Sequence, residues 1–545
     1  MKKIAITQFG GIAPLVHPVN LADFAAQAAE NYRSDGGDLR PLIGPGVVPG
    51  VTLGRAADGT IRTIYRYGQD TASSTQYWLQ WLDDDISVQR GMIPGDTDER
   101  TFWTGDGIPK AGDATLINSG DVTRLPGASH QLGLPAPAKP TVVVTGTATG
   151  TDVTYHAYRV RYVNQWGDLG PASPPSDVVA VHAGQSVQVT TPAYTASYNG
   201  TLLKTYIYRS VDSVYYWVGE QTFNVGTAFV DAMAAASSDE LDTVSYDAPP
   251  ADLHSLVALP NGSFAGASGL DLRLTPPYRP YAWPDDYRSP LDYQIVGLCR
   301  FGQYIIALTK GLPYLATASD PASVVPDAIR GFPHACSSRR SIVETNRGVI
   351  YAGPSGLCLI NPGVETTLLT EKMFTREQWQ AMFKPESIHA YFHAGKYFAF
   401  YDNGTKQGGF IFDPSDAKSP LTPISTHATA GFVDRQSDAL FLVIGGVLHK
   451  WAAGDPLPVK FKSKRFMFGW ETSWPYMQVI ADAYPLTVRL YADKETTPFF
   501  TADVPSAAPF TVEARRYRFL DIEVESAYPV VGVFMAPSVT ELKSA

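Results

Sequence analysis

General acid and base catalysis needs two carboxyl groups whose surroundings separate their pKa values. The densest carboxylates in the chain are the run Asp83-Asp84-Asp85 and the group Asp96, Asp98 and Glu99. Successive side chains of a strand alternate faces, so Asp83 and Asp85 would share one side, where they could hold a cation, with Asp84 pointing away. The calcium-loop spacing of alternating oxygen ligands ending in Glu is absent there, and a solvated or channel-facing acidic patch accounts better for the run. His389 and His393 stand four apart in a strand-like segment, and His427 and His449 stand alone, so ordinary hydrogen-bonded histidines account for all four. No Gly-x-Ser-x-Gly elbow occurs, and Gly353-Pro-Ser-Gly356 puts proline beside the serine in a hairpin-turn pattern. No phosphate-cradling glycine loop opens a helix. Cys299, Cys336 and Cys358 are odd in number and set in apolar runs, which predicts reduced core residues rather than a disulfide framework or a zinc site. We therefore expect no catalytic residue, no cofactor and no metal.

The formal charge of −10, from 43 basic and 53 acidic residues, argues against a protein that grips nucleic acid by neutralising phosphates. It leaves room for a surface past which nucleic acid slides. The pairs Arg339-Arg340 and Arg515-Arg516 read as structural ion pairs or solvated edges. No apolar stretch reaches the roughly 20 residues that span a bilayer as a helix. The opening Met1-Lys2-Lys3 and its short apolar run imitate a signal peptide, but Thr7, Gln8 and Gly10-Gly11 interrupt it and no small-residue cleavage site follows.

Elements that must position these residues are mostly strands. The chain has 545 residues with 47 Gly and 42 Pro, too many breakers for long helices, while 44% hydrophobic against 18% charged residues supplies ample core. Asn20 would cap a helix with Leu21, Phe24, Ala25 and Ala28 on one face, ending near Asn31. A second helix follows Thr375, whose hydroxyl and Gln378 make a capping-box pattern ahead of Trp379, Met382 and Phe383. Ile61 to Tyr67, Tyr77 to Leu82 and Asp85 to Val88 alternate as strands. The proline-rich Leu134-Pro-Ala-Pro-Ala-Lys-Pro140 is a stiff linker. Beyond it Val142 to Val144, Thr154 to Val163, Val187 to Thr190, Thr205 to Arg209 and Tyr215 to Gly219 have sandwich spacing. The segment Tyr155-His-Ala-Tyr-Arg-Val-Arg-Tyr-Val163, with Gly167 and Ser173-Pro-Pro-Ser176, resembles a fibronectin type III module.

After Pro249-Pro250 the pattern becomes units of about 35 to 50 residues, each with two or more strand-like runs around a Gly-centred turn, a period that suits propeller blades. They fall at Leu256 to Leu274, Ile295 to Leu315, Ser341 to Ile360, Ile388 to Phe412 and Gly431 to Trp451. Missing strands would come from Ile61 to Trp103. A last β domain runs through Met477 to Ala481, Leu486 to Tyr491, Arg516 to Val524 and Val530 to Met535. The expected fold is all-β: an irregular β-propeller-like core, an inserted fibronectin type III-like β-sandwich and a C-terminal β domain. Its divisions are 1–134, a ring or platform region with the first propeller strands, 135–250 the sandwich, 251–455 the blades and 456–545 the last domain. A propeller invites a glycosidase reading, but the Ser-x-Asp-x-Gly-x-Thr boxes of sialidases are missing from all five units.

Several phrases together resemble the tail nozzle proteins of short-tailed bacteriophages, also called the tail tubular protein B family. They include Asn31-Tyr-Arg-Ser-Asp-Gly-Gly-Asp-Leu-Arg-Pro41, Thr205-Tyr-Ile-Tyr-Arg-Ser210, Tyr216-Trp-Val-Gly-Glu220 and Phe229-Val-Asp231. Further along stand Leu259-Pro-Asn-Gly262, Tyr281-Ala-Trp-Pro284, Gly445-Gly-Val-Leu-His-Lys-Trp451, Phe461-Lys-Ser-Lys464, Val488-Arg-Leu-Tyr491 and the closing Ala536-Pro-Ser538 to Glu541-Leu542. The likeness spans most of the chain and carries no catalytic signature. It implies a non-enzymatic virion protein, made in the host cytoplasm, that self-associates as a homohexameric ring below the portal and adaptor proteins and conducts or retains genomic DNA without specific binding. Tail fibres or spikes are further partners on this reading. Asn31, Asp38, Leu39, Arg40 and Pro41 become ring-interface candidates, and Asp83, Asp84 and Asp85 lumen-facing ones, since carboxylates would repel phosphates and let a duplex slide. The alternative is a receptor- or glycan-binding phage adhesin, favoured by Trp78, Trp81 and Trp103 if they are exposed.

Overall fold

The computed structural model describes residues 3–33, 37–68, 77–84, 86–93, 96–331, 334–361, 363–415 and 421–543. The fold is all-β, with many small antiparallel sheets and little helix. The chain divides into two compact units, 83–329 and the pair of segments 1–82 and 330–545.

In the 83–329 unit three four-stranded sheets run as meanders in chain order. They are built on Ser87–Arg90 through His130–Gln131, His254–Ala258 through Arg288–Pro290, and Ile295–Phe301 through Asp327–Ala328. The last two share a core that includes Leu259, Leu272, Ile295 and Ile305. Between the first and second meanders lie two three-stranded sheets, Thr141–Thr145 with Ser186–Thr190 and Phe229–Asp231, and Tyr158–Asn164 with Leu202–Val211 and Val214–Thr222. Tyr158, Val160 and Ile207 from one sheet and Val187 and Val189 from the other close on a common core. The Tyr158 hydroxyl and the Arg209 guanidinium both donate to the buried Asp231 carboxylate, which ties these two sheets together. The strands expected at Val142 to Val144, Val187 to Thr190, Thr205 to Arg209 and Tyr215 to Gly219 are present, whereas the one expected from Thr154 to Val163 is divided at Ala157 into Val153–His156, which pairs with Val179–His182, and Tyr158–Asn164, which pairs with Leu202–Val211.

The other unit carries three more meander sheets. They start at Val343–Thr345, His389–His393 and Ala430–Asp434, and the third is completed by Gly46–Val47 pairing antiparallel with Val447–Lys450. A hairpin, Thr63–Tyr67 on Tyr77–Trp81, precedes them in sequence. Gly353 and Gly356 face each other across the tight turn that the sequence suggests. The C-terminal region makes a six-stranded sheet, in which Tyr517–Ser526 is flanked by Leu486–Ala492 on one side and by Val459–Ser463 and Phe466–Thr472 on the other. Phe500–Val504 and Ala26–Glu30 are its outer strands. Phe461, Val488, Leu490, Leu520, Ile522 and Val524 are buried beneath it.

The helix expected from Asn20 to Asn31 does not form. Ala26–Glu30 is instead a strand on Val459–Ser463, with a register shift between Ala26 and Ala28. Of the residues expected on one helical face, Leu21 and Ala25 are buried and Phe24 is half-buried, but Ala28 is exposed, because strand pairing rather than a helical period sets their burial. The second helix is present as Arg376–Phe383, and its capping box is complete: Gln378 N donates to Thr375 Oγ1 and Thr375 N to Gln378 Oε1.

Candidate functional site

A cleft of about 680 Å³ lies inside the unit formed by 1–82 and 330–545. Its walls are the Ala26–Glu30 edge strand, the Arg376–Phe383 helix, the end of the Leu421–Ile424 strand and the Val459–Ser463 strand. Ile12, Ala29, Phe383, Tyr401 and Phe461 make an apolar lining. Phe383 is fixed by rings on several sides, 4.8 Å from Trp379, 5.1 Å from Tyr401 and 4.8 Å from Phe410. The polar lining is largely engaged within the subunit. Gln378 donates to Pro14 O (3.0 Å) and caps its own helix, while Asn403 donates to Met382 O and accepts from the amides of Thr405 and Lys406. Lys406 pairs with Glu30 at 3.0 Å. Burial works against the Lys406 charge, and the Glu30 carboxylate overrides it, so the ammonium titrates above its ordinary value.

Beside the cleft one face of the six-stranded sheet carries a cross-strand charge ladder. Lys460 lies opposite Glu525 in the register and 3.7 Å from it as an ion pair. Arg489 lies opposite Glu523 and reaches both Glu523 (2.9 Å) and Glu525 (2.8 Å). Tyr491 donates to Glu523, and burial together with that carboxylate pushes its phenol up to about 12. Lys462 sits 3.7 Å from the Tyr491 ring centroid and 3.6 Å from Asp521, whose two oxygens are also held by Arg465 at 2.9 and 2.8 Å. Thr487 extends the pattern to Asp503. Period-two alternation produces the ladder: the same strands bury Phe461, Val488, Ile522 and Val524 on the opposite face.

Of the residues marked in the sequence, Asp83 and Asp84 are exposed just after the Tyr77–Trp81 strand, and Asp85 lies outside the described residues. Asn31 is buried at φ +62°. It is the hub of a clamp, accepting from Ser425 N (2.8 Å) and donating to Ser425 Oγ (2.9 Å) and Pro458 O (3.1 Å). Leu39 is 0% exposed, bonded both ways to Val530. Asn31 and Leu39 thus serve within the subunit, while Arg40 is exposed, paired with the half-buried Asp38, and Pro41 is half-buried. Trp78, Trp81 and Trp103 are buried, so they do not form the exposed aromatic surface an adhesin reading would use; Trp78 packs edge-on to Phe432 and Phe441. Their strands are covered on both faces, which alternation alone does not reveal.

Asp96 sits 3.5 Å from Arg100, which also pairs with the buried Asp168 at 3.0 Å and lies over the Trp166 ring. Burial raises the Asp168 pKa against the pull of Arg100. His389 is buried near His427, and His393 faces Asp438, so the two histidines go to different surroundings. Arg340 braces the carbonyls of Arg62 and Thr429, and Arg515 pairs with Glu495. The three cysteines are free and buried, as expected. Among the described residues no group of three or more His, Cys, Asp or Glu is placed to hold a metal ion, and no helix is long and apolar enough to cross a membrane.

Sequence reasoning missed the cleft and the open margin of the Phe466–Thr472 strand. That strand pairs with Tyr517–Ser526 only at Phe466, Met467 and Thr472, and between these points Trp470 stands 78% exposed. The apolar run Phe466-Met-Phe-Gly-Trp470 was the available signal.

No family model matches the chain, and no curated protein matches it. Among solved structures it is similar to the extracellular domain of the hybrid two-component system BT4673 from B. thetaiotaomicron, at 12% identity and a TM-score of 0.25, covering 68% of this chain and 46% of that one. The AfRom2 CNH domain gives 10% identity and a TM-score of 0.25, covering 70% and 99%. Apo AztD from Citrobacter koseri gives 10% and 0.23, covering 68% and 99%. The chain spans under half the length of the first of these, and likenesses this slight carry no argument about activity.

Proposed function

We propose that this chain is a non-enzymatic structural subunit of a phage tail, a rigid β tile that assembles as a closed ring of six copies and extends the portal and adaptor channel for genomic DNA. On this reading the meander sheets are blades of an irregular propeller-like core, and the three sheets between Thr141 and Asp231, two of three strands and one pairing Val153–His156 with Val179–His182, are an inserted fibronectin-like sandwich. The observation that carries the reading is the Phe466–Thr472 margin, an edge strand bearing exposed Met467 and Trp470. An open apolar edge invites association, and a ring of identical copies covers every such edge alike. The ensemble of nozzle-like phrases across the sequence supports the same assignment. Exposed Asp83 and Asp84 are candidates for a lumen wall that repels phosphate.

Native mass spectrometry of the purified chain tests this proposal. A single closed species of six copies is the expected result. A chain that stays monomeric at every concentration, or that hydrolyses a glycan at a defined pocket, overturns it.

A further inference from the structure

We propose that the Met467–Trp470 corner of one copy seats in the apolar cleft of the next copy, an assignment that rests on the ring reading above. The corner is a built protrusion. Phe468 turns inward, with its ring 5.1 Å from Trp474 and 5.8 Å from Tyr517, and this anchors the strand while it leaves the strand margin. Met467 and Trp470 point outward at 61% and 78% exposure. Among the described residues beyond its chain neighbours, no atom lies within 4 Å of where a Cβ on Gly469 would stand, so the corner has open space at its tip.

The receiving surface is the cleft, whose accessible apolar lining is Pro14, Ala28, Ala381, Met382 and Pro423 over a buried floor that includes Phe383 and Phe461, and whose 680 Å³ accommodates an indole and a thioether side chain together. Gln378 and Asn403 spend their amides inside the subunit, so the cleft suits an apolar plug better than a polar small molecule. Charge agrees with this placement. The lysine heads of Lys406 and Lys460 are the exposed members of their pairs, at 58% and 50%, over carboxylates at 20% and 27%. The corner brings the exposed Glu471 next to Trp470, an acid to face that lysine rim. Corner and cleft are different patches of one subunit, so the contact is head-to-tail, the kind that closes into a ring when the rotation permits.

Two single-site variants, Gly469→Cys and Ala381→Cys, are purified, mixed and oxidised with copper phenanthroline. The native cysteines are buried and stay out of the reaction. Disulfide-linked dimers that form in the mixture and in neither variant alone are the expected result. Rings that assemble without that cross-link, or a Gly469→Cys variant that cross-links equally well by itself, overturn the assignment while leaving the ring reading in place. Trp470→Ala, at a solvent-exposed position, is expected to raise the concentration for assembly at least about tenfold with an unchanged melting curve. Unchanged assembly of Trp470→Ala overturns the assignment. A chain that is monomeric throughout sinks the ring reading and this contact with it.

Discussion

Asn31 and Ser425, 394 positions apart, are joined by a reciprocal pair of hydrogen bonds, Ser425 N to Asn31 Oδ1 and Asn31 Nδ2 to Ser425 Oγ. With the third bond to Pro458 O, this clamp fastens the N-terminal segment to the end of the Leu421–Ile424 strand next to the cleft. Asn31→Ala strands buried backbone groups and puts an alanine at φ +62°, so we expect a loss of about 2–4 kcal/mol by urea unfolding. Asn31 and Ser425 touch, so the double variant with Ser425→Ala should cost less than the sum of the singles. Additive effects would show that the clamp is not the source of the stability.

The charge ladder has a buried end and an exposed end, and they should behave differently. Asp521 is 1% exposed and holds Arg465 and Lys462, so Asp521→Ala leaves two cations without their carboxylate and should cost about 3–5 kcal/mol. Lys460 is half exposed, and Lys460→Ala should cost at most about 1 kcal/mol and be masked by salt. Equal urea midpoint shifts for the two would contradict this assignment of burial.

Acid should weaken the fold through His389. Burial, then repulsion from Arg340 and from the neighbouring His427 ring, holds its pKa well below the ordinary 6.5. The unfolded chain therefore takes up a proton at about pH 6.5 that the folded chain refuses. Its contribution to stability is full above pH 6.5 and declines as pH falls from there toward the depressed folded value. His389→Gln removes this titration, so the slope of unfolding free energy against pH between 7 and 5 should be shallower than in the native chain. Equal slopes would place the acid sensitivity elsewhere.

Particles carrying the Asp83/Asp84/Asp85→Lys triple variant should eject DNA more slowly and with a steeper salt dependence, because lysines on a lumen wall hold phosphates that carboxylates repel. Unchanged ejection from intact particles would remove these three residues from the wall.

What could be read from the sequence was local. Period-two alternation located the meander strands, and Thr375 with Gln378 located the helix that lines the cleft, because caps and pleats act over a few residues. The Ala26–Glu30 strand reads as helix because Leu21, Phe24, Ala25 and Ala28 fall at helical spacing, while its partner strand Val459–Ser463 lies far along the chain and leaves no local trace. Trp78 and Trp103 gave no sign of their burial, since strands covered on both faces lose the polar half of the pattern. The cleft and the clamp were out of reach. Gln27 meets Ser463 across 436 positions, and no local rule pairs residues so far apart.

Electron microscopy of the purified chain addresses the central claim most directly. Closed rings of identical subunits around a hollow axis are the predicted image. A field of single particles with no ring at any concentration would contradict the account.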